Sequence, residues 1–159
     1  MVKGVYTLII KFDGSKIKIG SLGEHKLPSG YYAYTGSALG KGAQSLKGRI
    51  LRHLRRNKKT KWHIDYLLMD ERANVEWILL LPSEEQRECS INSSILENTE
   101  ATIPVKDFGS SDCRSKCPSH LLYLGKTLDL EPIKEAYNKV QRGVSIFTPS
   151  EFKDWTSIL

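Results

Sequence analysis

The spacing of apolar and polar positions divides the chain into short elements. Residues 4–12, Gly-Val-Tyr-Thr-Leu-Ile-Ile-Lys-Phe, form a β-branched and aromatic run that reads as a buried strand. Asp13-Gly14-Ser15 is a turn signal, and Lys16-Ile17-Lys18-Ile19 alternates, so the pattern predicts a hairpin between the two segments. Leu27-Pro28-Ser29-Gly30 interrupts the chain. Residues 31–35 then predict a third strand, closed by Gly36-Ser37.

Past Gly40 and Gly42 the apolar period lengthens. Leu46, Ile50 and Leu54 fall at i, i+4 and i+8, which predicts a helix over residues 43–56 with one apolar stripe. Arg49, Arg52, His53 and Arg56 fall within about 100° of one another on the adjoining face. Residues 57–61 read as an exposed basic loop, 62–69 as a short second helix and 75–81 as a fully buried strand. Ser83 reads as the N-cap of a helix reaching about residue 96, with Glu84 and Glu85 in its first turn. Residues 99–105 read as loop and edge strand, 108–113 as a Gly/Ser-rich loop, and 121–124 as a last short strand. The remainder is helical in character: residues 131–142 end at Gly143, and Thr148-Pro149-Ser150-Glu151 is a capping box with proline at the first helical position. The fold class expected is α+β, in one soluble domain at residues 1–124 with a helical extension at 125–159 packed on it.

Charge sharpens this picture. The net charge is +6, yet residues 41–61 hold Lys41, Lys47, Arg49, Arg52, Arg55, Arg56, Lys58, Lys59 and Lys61 with no acid, so the rest of the chain sums to −3. Such a concentrated block is the electrostatic footprint of a polyanion-binding surface rather than a merely solvated face. Nucleic acid is the expected partner, DNA ahead of RNA. No apolar run is long enough for a membrane span, and Met1-Val2-Lys3 shows no signal-peptide pattern, so a cytoplasmic protein is expected.

The three cysteines, Cys89, Cys113 and Cys117, are an odd number, against a disulfide framework. Cys113-x3-Cys117-x2-His120 with Cys89 offers four zinc ligands, but without a paired second knuckle. The reading preferred over zinc packs Cys89 in the core and sets Cys113 in a structured loop, with Asp112 and His120 as alternative cleft residues.

Hydrolysis of a phosphodiester needs a group to activate water, a cation for the developing charge and usually a metal on a carboxylate. The chain offers Tyr6 and Tyr34, Arg49 with His53, the run Trp62-His63-Ile64-Asp65, and Glu88. With Gly4-Val5-Tyr6 and Tyr34-Thr35-Gly36-Ser37-Ala38, followed by Ser119-His120-Leu121, the order of these motifs resembles the GIY-YIG nuclease superfamily, and within it the Uri-type endonucleases, over roughly residues 4–124. The resemblance implies a central antiparallel sheet of three or more strands flanked by helices, and a metal-dependent endonuclease acting on DNA. It places Tyr6 and Tyr34 at the attacking water, Arg49 on the scissile phosphate, His53 as a proton acceptor or orienting group, His63 near the phosphate, and Glu88 on Mg²⁺ or Mn²⁺. Lys41, Lys47, Arg52, Arg55, Arg56, Lys58, Lys59 and Lys61 would then supply general phosphate attraction. Two other classes fit parts of the sequence: a binding module of the same fold without cleavage, and a zinc-stabilised adaptor that binds a protein through its C-terminal helices.

Overall fold

The computed structural model describes residues 2–111 and 113–158; Asp112 lies outside them. Among the described residues the strands and α-helices follow in order: β1 (Gly4–Phe12), β2 (Ser15–Lys18), β3 (Glu24–Leu27), β4 (Gly30–Ala38), α1 (Leu46–Leu54), α2 (His63–Leu68), β5 (Ala73–Pro82), α3 (Glu88–Asn98), β6 (Leu121–Gly125), α4 (Glu131–Val140), β7 (Ser145–Phe147) and α5 (Pro149–Ser157). The main sheet has five antiparallel strands in the order β6-β4-β1-β5-β7, and β2 and β3 form a separate ribbon. The architecture is α+β, a sheet with helices on both faces. Among the described residues no helix is long and apolar enough to cross a membrane.

β1 is the central strand, and its pleat sorts its side chains. Tyr6, Leu8, Ile10 and Phe12 enter one apolar cluster with Tyr34, Ile50, Ile64 and Phe108, under α1, α2, α5 and the 105–120 loop. Val5 and Ile9 enter a second cluster with Leu79, Ile91, Ile95 and Tyr137, beneath α3 and α4. A strand covered on both faces reads as a continuous apolar run, which is why residues 4–12 lack alternation.

Several local expectations are corrected. Residues 15–18 do not pair with β1. Both edges of β1 are occupied along their length by β4 and β5, Gly14 (φ 86°) turns the chain aside, and Ser15–Lys18 pairs with Glu24–Leu27 instead. Gly36 and Ser37 do not close β4, which continues to Ala38 because residues 36–38 pair with residues 4–6. The basic helix is shorter than residues 43–56. Ser45 is its N-cap, its side chain accepting from the Gly48 amide at 3.2 Å, and Arg55 and Arg56 lie beyond its end. Ser83 does not open α3: its amide donates to the Lys3 carbonyl at 2.9 Å, prolonging the sheet edge, and the helix begins at Glu88. The tail contributes a strand as well as helices, β7 pairing with β5. The capping box at Thr148 forms, with the Glu151 amide donating to Thr148 Oγ1 at 3.2 Å and the Thr148 amide to Glu151 Oε1 at 2.8 Å.

Candidate active site

Tyr6 and Tyr34 stand on neighbouring antiparallel strands and on the same face of the sheet, with Tyr6 paired to Gly36 and Leu8 to Tyr34. Gly36 is required by this arrangement. A Cβ there would lie 2.7 Å from the Tyr6 hydroxyl, so only glycine lets the phenol lie across its partner strand. The Tyr6 hydroxyl and His53 Nε2 are 2.7 Å apart, and the His53 ring sits against both tyrosine rings, with centroids 5.5 Å and 6.0 Å away.

Both partners of that hydrogen bond are shifted. Burial above all, and then the Tyr34 hydroxyl, lift Tyr6 well above the ordinary phenol value, with the Arg49 guanidinium acting in opposition. Burial lowers His53 to about 3, helped by Lys58, Arg52 and Arg49 and opposed by Asp65. At neutral pH the pair is therefore a neutral phenol and a neutral imidazole. His53 is 2% exposed, which overturns its expected place on the presented face of the helix; the i+7 spacing from Leu46 and i+3 from Ile50 turns it toward the sheet.

The arginines one turn apart on α1 have different surroundings. Arg49 donates to the Ser37 carbonyl at 2.9 Å and to Gln44 Oε1 at 2.8 Å, and has no carboxylate partner among the described residues. Its charge stays unneutralised. Arg52 instead makes a bidentate pair with Asp65 at 2.8 and 2.9 Å, and Asp65 also accepts the Lys61 and Trp62 amides at the start of α2. Burial alone pushes the Asp65 carboxyl up, but the Arg52 bonds and the two amides outweigh it and hold it below the ordinary carboxylate value. Asp65 is thus a structural anchor for α2.

Other basic residues are similarly engaged. Arg56 donates to the Asp70 carbonyl and to Asn74 Oδ1, at 2.8 and 2.6 Å, while Lys58 closes the end of α1 on the Arg52 and His53 carbonyls, at 3.1 and 2.9 Å. Burial lowers Lys58 to about 8, with Asp65 opposing and Arg52 reinforcing. Lys47 donates to the Thr156 carbonyl at 3.2 Å. Lys41, Arg55, Lys59 and Lys61 remain exposed. Trp62, to which the sequence motifs assign no role of its own, gathers the cations: Arg49, Arg52 and Lys61 lie 5.2, 4.4 and 4.9 Å from its ring centroids. Its place inside the basic block, just ahead of a helix, was the available signal.

Glu88 is the first residue of α3, rather than a mid-helix surface acid, so the positive end of an eleven-residue helix favours its carboxylate. Its Oε2 is buried without a hydrogen-bond partner among the described residues. A lone carboxylate with an unsatisfied oxygen fits a hard divalent cation, which takes one or two carboxylates and keeps several waters.

Tyr6, Tyr34, Arg49, Trp62 and Glu88 line one open cleft of about 900 Å³, together with Gly36, Ser37, Cys89, Cys113 and His120. His53 touches this cleft through Tyr6. His63 is turned toward the loop instead: its Nδ1 accepts the Gly109 amide at 2.8 Å and its ring packs on Phe108. It acts as a brace, and the loop it holds brings Gly109 (φ 68°) to the cleft wall, where a Cβ would be 3.2 Å from the Tyr34 ring. Cys89 is not in the core. It is partly exposed on the cleft, 3.1 Å from the Cys113 sulfur and 3.6 Å from His120 Nε2. The helix start at Glu88 turns it there, because Ile91 and Ile95 take the buried face.

The model of a protein family described as domain of unknown function DUF123 matches residues 5–142. The chain belongs to the DUF123 family. That match spans β1 through α4, and so holds every cleft residue named above together with a helix beyond residue 124. No curated protein and no solved structure matches the chain.

Proposed function

We propose that this DUF123 protein is a metal-dependent endonuclease that hydrolyses phosphodiester bonds of nucleic acid, DNA before RNA, by chemistry of the GIY-YIG type. The carrying observation is that Tyr6, Tyr34, an unneutralised Arg49 and a partly unsatisfied Glu88 share one cleft beside a basic surface. Arg49 binds the scissile phosphate, exchanging its neutral acceptors for phosphate oxygens and stabilising charge that develops there. Tyr6 and Tyr34, both neutral phenols, hold and orient the attacking water. His53 is positioned to take up a proton passed through Tyr6, since it is neutral and 2.7 Å from that hydroxyl. Its basicity is low in the resting site because burial and cations oppose its charging, and an arriving phosphate offsets the cationic part. Mg²⁺ or Mn²⁺ on Glu88 would supply charge neutralisation and acidify a water. Lys41, Arg55, Lys59 and Lys61 supply general phosphate attraction, and Trp62 offers a face for a base or sugar.

Purified protein incubated with supercoiled, single-stranded and branched DNA, with Mg²⁺, Mn²⁺ or chelator, tests this. Metal-dependent nicking that disappears in Glu88→Ala while binding survives supports the enzyme. Binding without cleavage in every metal overturns it in favour of a binding module of the same fold. Replacing Arg49 lowers cleavage more than binding; equal losses would reduce Arg49 to a positioning contact.

A further inference from the structure

In the sequence the four candidate zinc ligands lack a paired second knuckle, and Cys89 stands 24 residues ahead of Cys113. The fold brings them together. One donor atom from each of the four residues lies within 4.8 Å of every other, although no element of secondary structure contains more than one of them. Cys89 comes from the first turn of α3, Cys113 and Cys117 from the loop, and His120 from the residue before β6.

We infer that Cys89, Cys113, Cys117 and His120 form a tetrahedral site for a soft divalent cation, Zn²⁺ foremost, which clamps the loop ahead of β6 to the start of α3. Three thiolates and one imidazole are a closed structural donor set for zinc, and leave no position for a substrate water. A tetrahedral ion with bonds of about 2.3 Å to sulfur and 2.0 Å to nitrogen sets its ligand atoms roughly 3.5–3.8 Å apart. The Cys89 sulfur to His120 Nε2 distance of 3.6 Å falls in that range, and the 3.1 Å between the Cys89 and Cys113 sulfurs is far longer than the ~2.05 Å of a disulfide.

The loop supplies a reason for the clamp. Between α3 and β6 the described residues form no helix or strand, only an isolated bridge between Thr102 and Tyr123, yet Val105, Phe108 and Cys117 are buried. Irregular stretches of this length are uncommon in compact domains. A metal closing it offsets the entropy of ordering it, and binding releases the thiol protons, so that thiolates more than offset the charge of the ion. The clamp fixes two parts of the cleft at once: Glu88 is the residue before Cys89, and Gly109, against Tyr34, lies on the same loop. The site is distinct from the hard-cation position at Glu88, since sulfur and imidazole select a different class of metal.

The inference stands without the nuclease reading, because metal content is measured with no nucleic acid present. Full-length protein purified without chelator from zinc-supplemented cells is expected to carry one zinc per chain by elemental analysis. Its three thiols should react with a disulfide reagent only after a chromogenic chelator has withdrawn the metal. Cobalt substitution is expected to give the thiolate charge-transfer band and intense visible absorption of a tetrahedral site. His120→Cys should keep the metal, while His120→Ala and Cys117→Ser weaken binding at least about tenfold, since loss of even an outer-shell partner costs that much. Wild-type protein offered zinc that binds none, with three freely reactive thiols, would overturn the site. So would an intact mass two hydrogens light, which marks a Cys89–Cys113 disulfide.

Discussion

Tyr6 and Thr7 are neighbours in β1, yet each anchors a different hydroxyl network. On one face Tyr6 meets His53 and opens onto the cleft. On the other Thr7 Oγ1 bonds Thr35 Oγ1 at 2.9 Å and the Tyr137 hydroxyl at 2.6 Å, sealed beneath α4. Burial raises both Tyr6 and Tyr137. The difference lies in what else is there. Around Tyr6 and its partner His53 stand Arg49, Arg52, Lys58 and Asp65, and the same cleft holds the orphaned carboxylate oxygen of Glu88; Tyr137 lies in an apolar cluster and bonds Thr7, which bonds Thr35. A buried tyrosine with a raised pKa therefore does not by itself mark a site. Unneutralised charge opening on a cleft does.

The strongest attack on this contrast removes the charge that the closed face lacks. Glu88→Gln keeps shape and loses the anion, and DNA nicking in Mg²⁺ is expected to fall roughly 1000-fold with binding little changed, as measured by plasmid relaxation beside a filter-binding titration. Next comes the paired deletion of the two phenol oxygens. Tyr6→Phe should slow cleavage about 100-fold, whereas Tyr137→Phe leaves the rate intact and costs about 1 kcal/mol of stability in urea unfolding. Equal effects on rate would erase the distinction between the faces.

A smaller effect concerns pH. His53 binds its proton at about 3 in the folded chain against an ordinary value near 6.5, so the unfolded state takes up the proton first as pH falls. Its contribution to stability is fully present above about pH 6.5 and is lost by up to about 1.4 kcal/mol per unit as pH drops toward 3. Denaturant midpoints measured from pH 7.5 down to 4 should show this slope, and His53→Gln should flatten it. Smallest of all, Arg55→Ala or Lys59→Ala should each weaken DNA binding uniformly and lower the salt slope by about one per lost phosphate contact. Arg52→Ala is expected to act chiefly through stability, because its guanidinium is committed to Asp65.

Much of the sheet was legible because β1, β4, β5 and β6 carry their signal in local composition. So was the terminal helix, whose capping box is read from four adjacent residues. The hairpin and the Ser83 cap go astray from one source: competition from partners distant in sequence. Residues 15–18 alternate correctly for a hairpin, but two longer strands outcompete them for β1. Ser83 is a sound N-cap by type, but its amide is claimed by Lys3 across the sheet edge. At the site, the residue types were legible and their assignments were not. Arg49 and Arg52 are alike in spacing and chemistry; only the fold sets one beside carbonyls and the other against Asp65.

By itself the sequence determined which groups the molecule has: a basic block free of acids, two tyrosines on strand segments, a glycine where a phenol crosses, three cysteines and a histidine. Local propensity and periodicity act over a few residues, so they also determined most elements and the α+β class. Tertiary structure decided which charges stay unpaired, which histidine reaches Tyr6 and which braces a loop, and that Cys89 meets Cys113, Cys117 and His120. Those outcomes depend on contacts between residues far apart in the chain, and such contacts exist only once the sheet has closed.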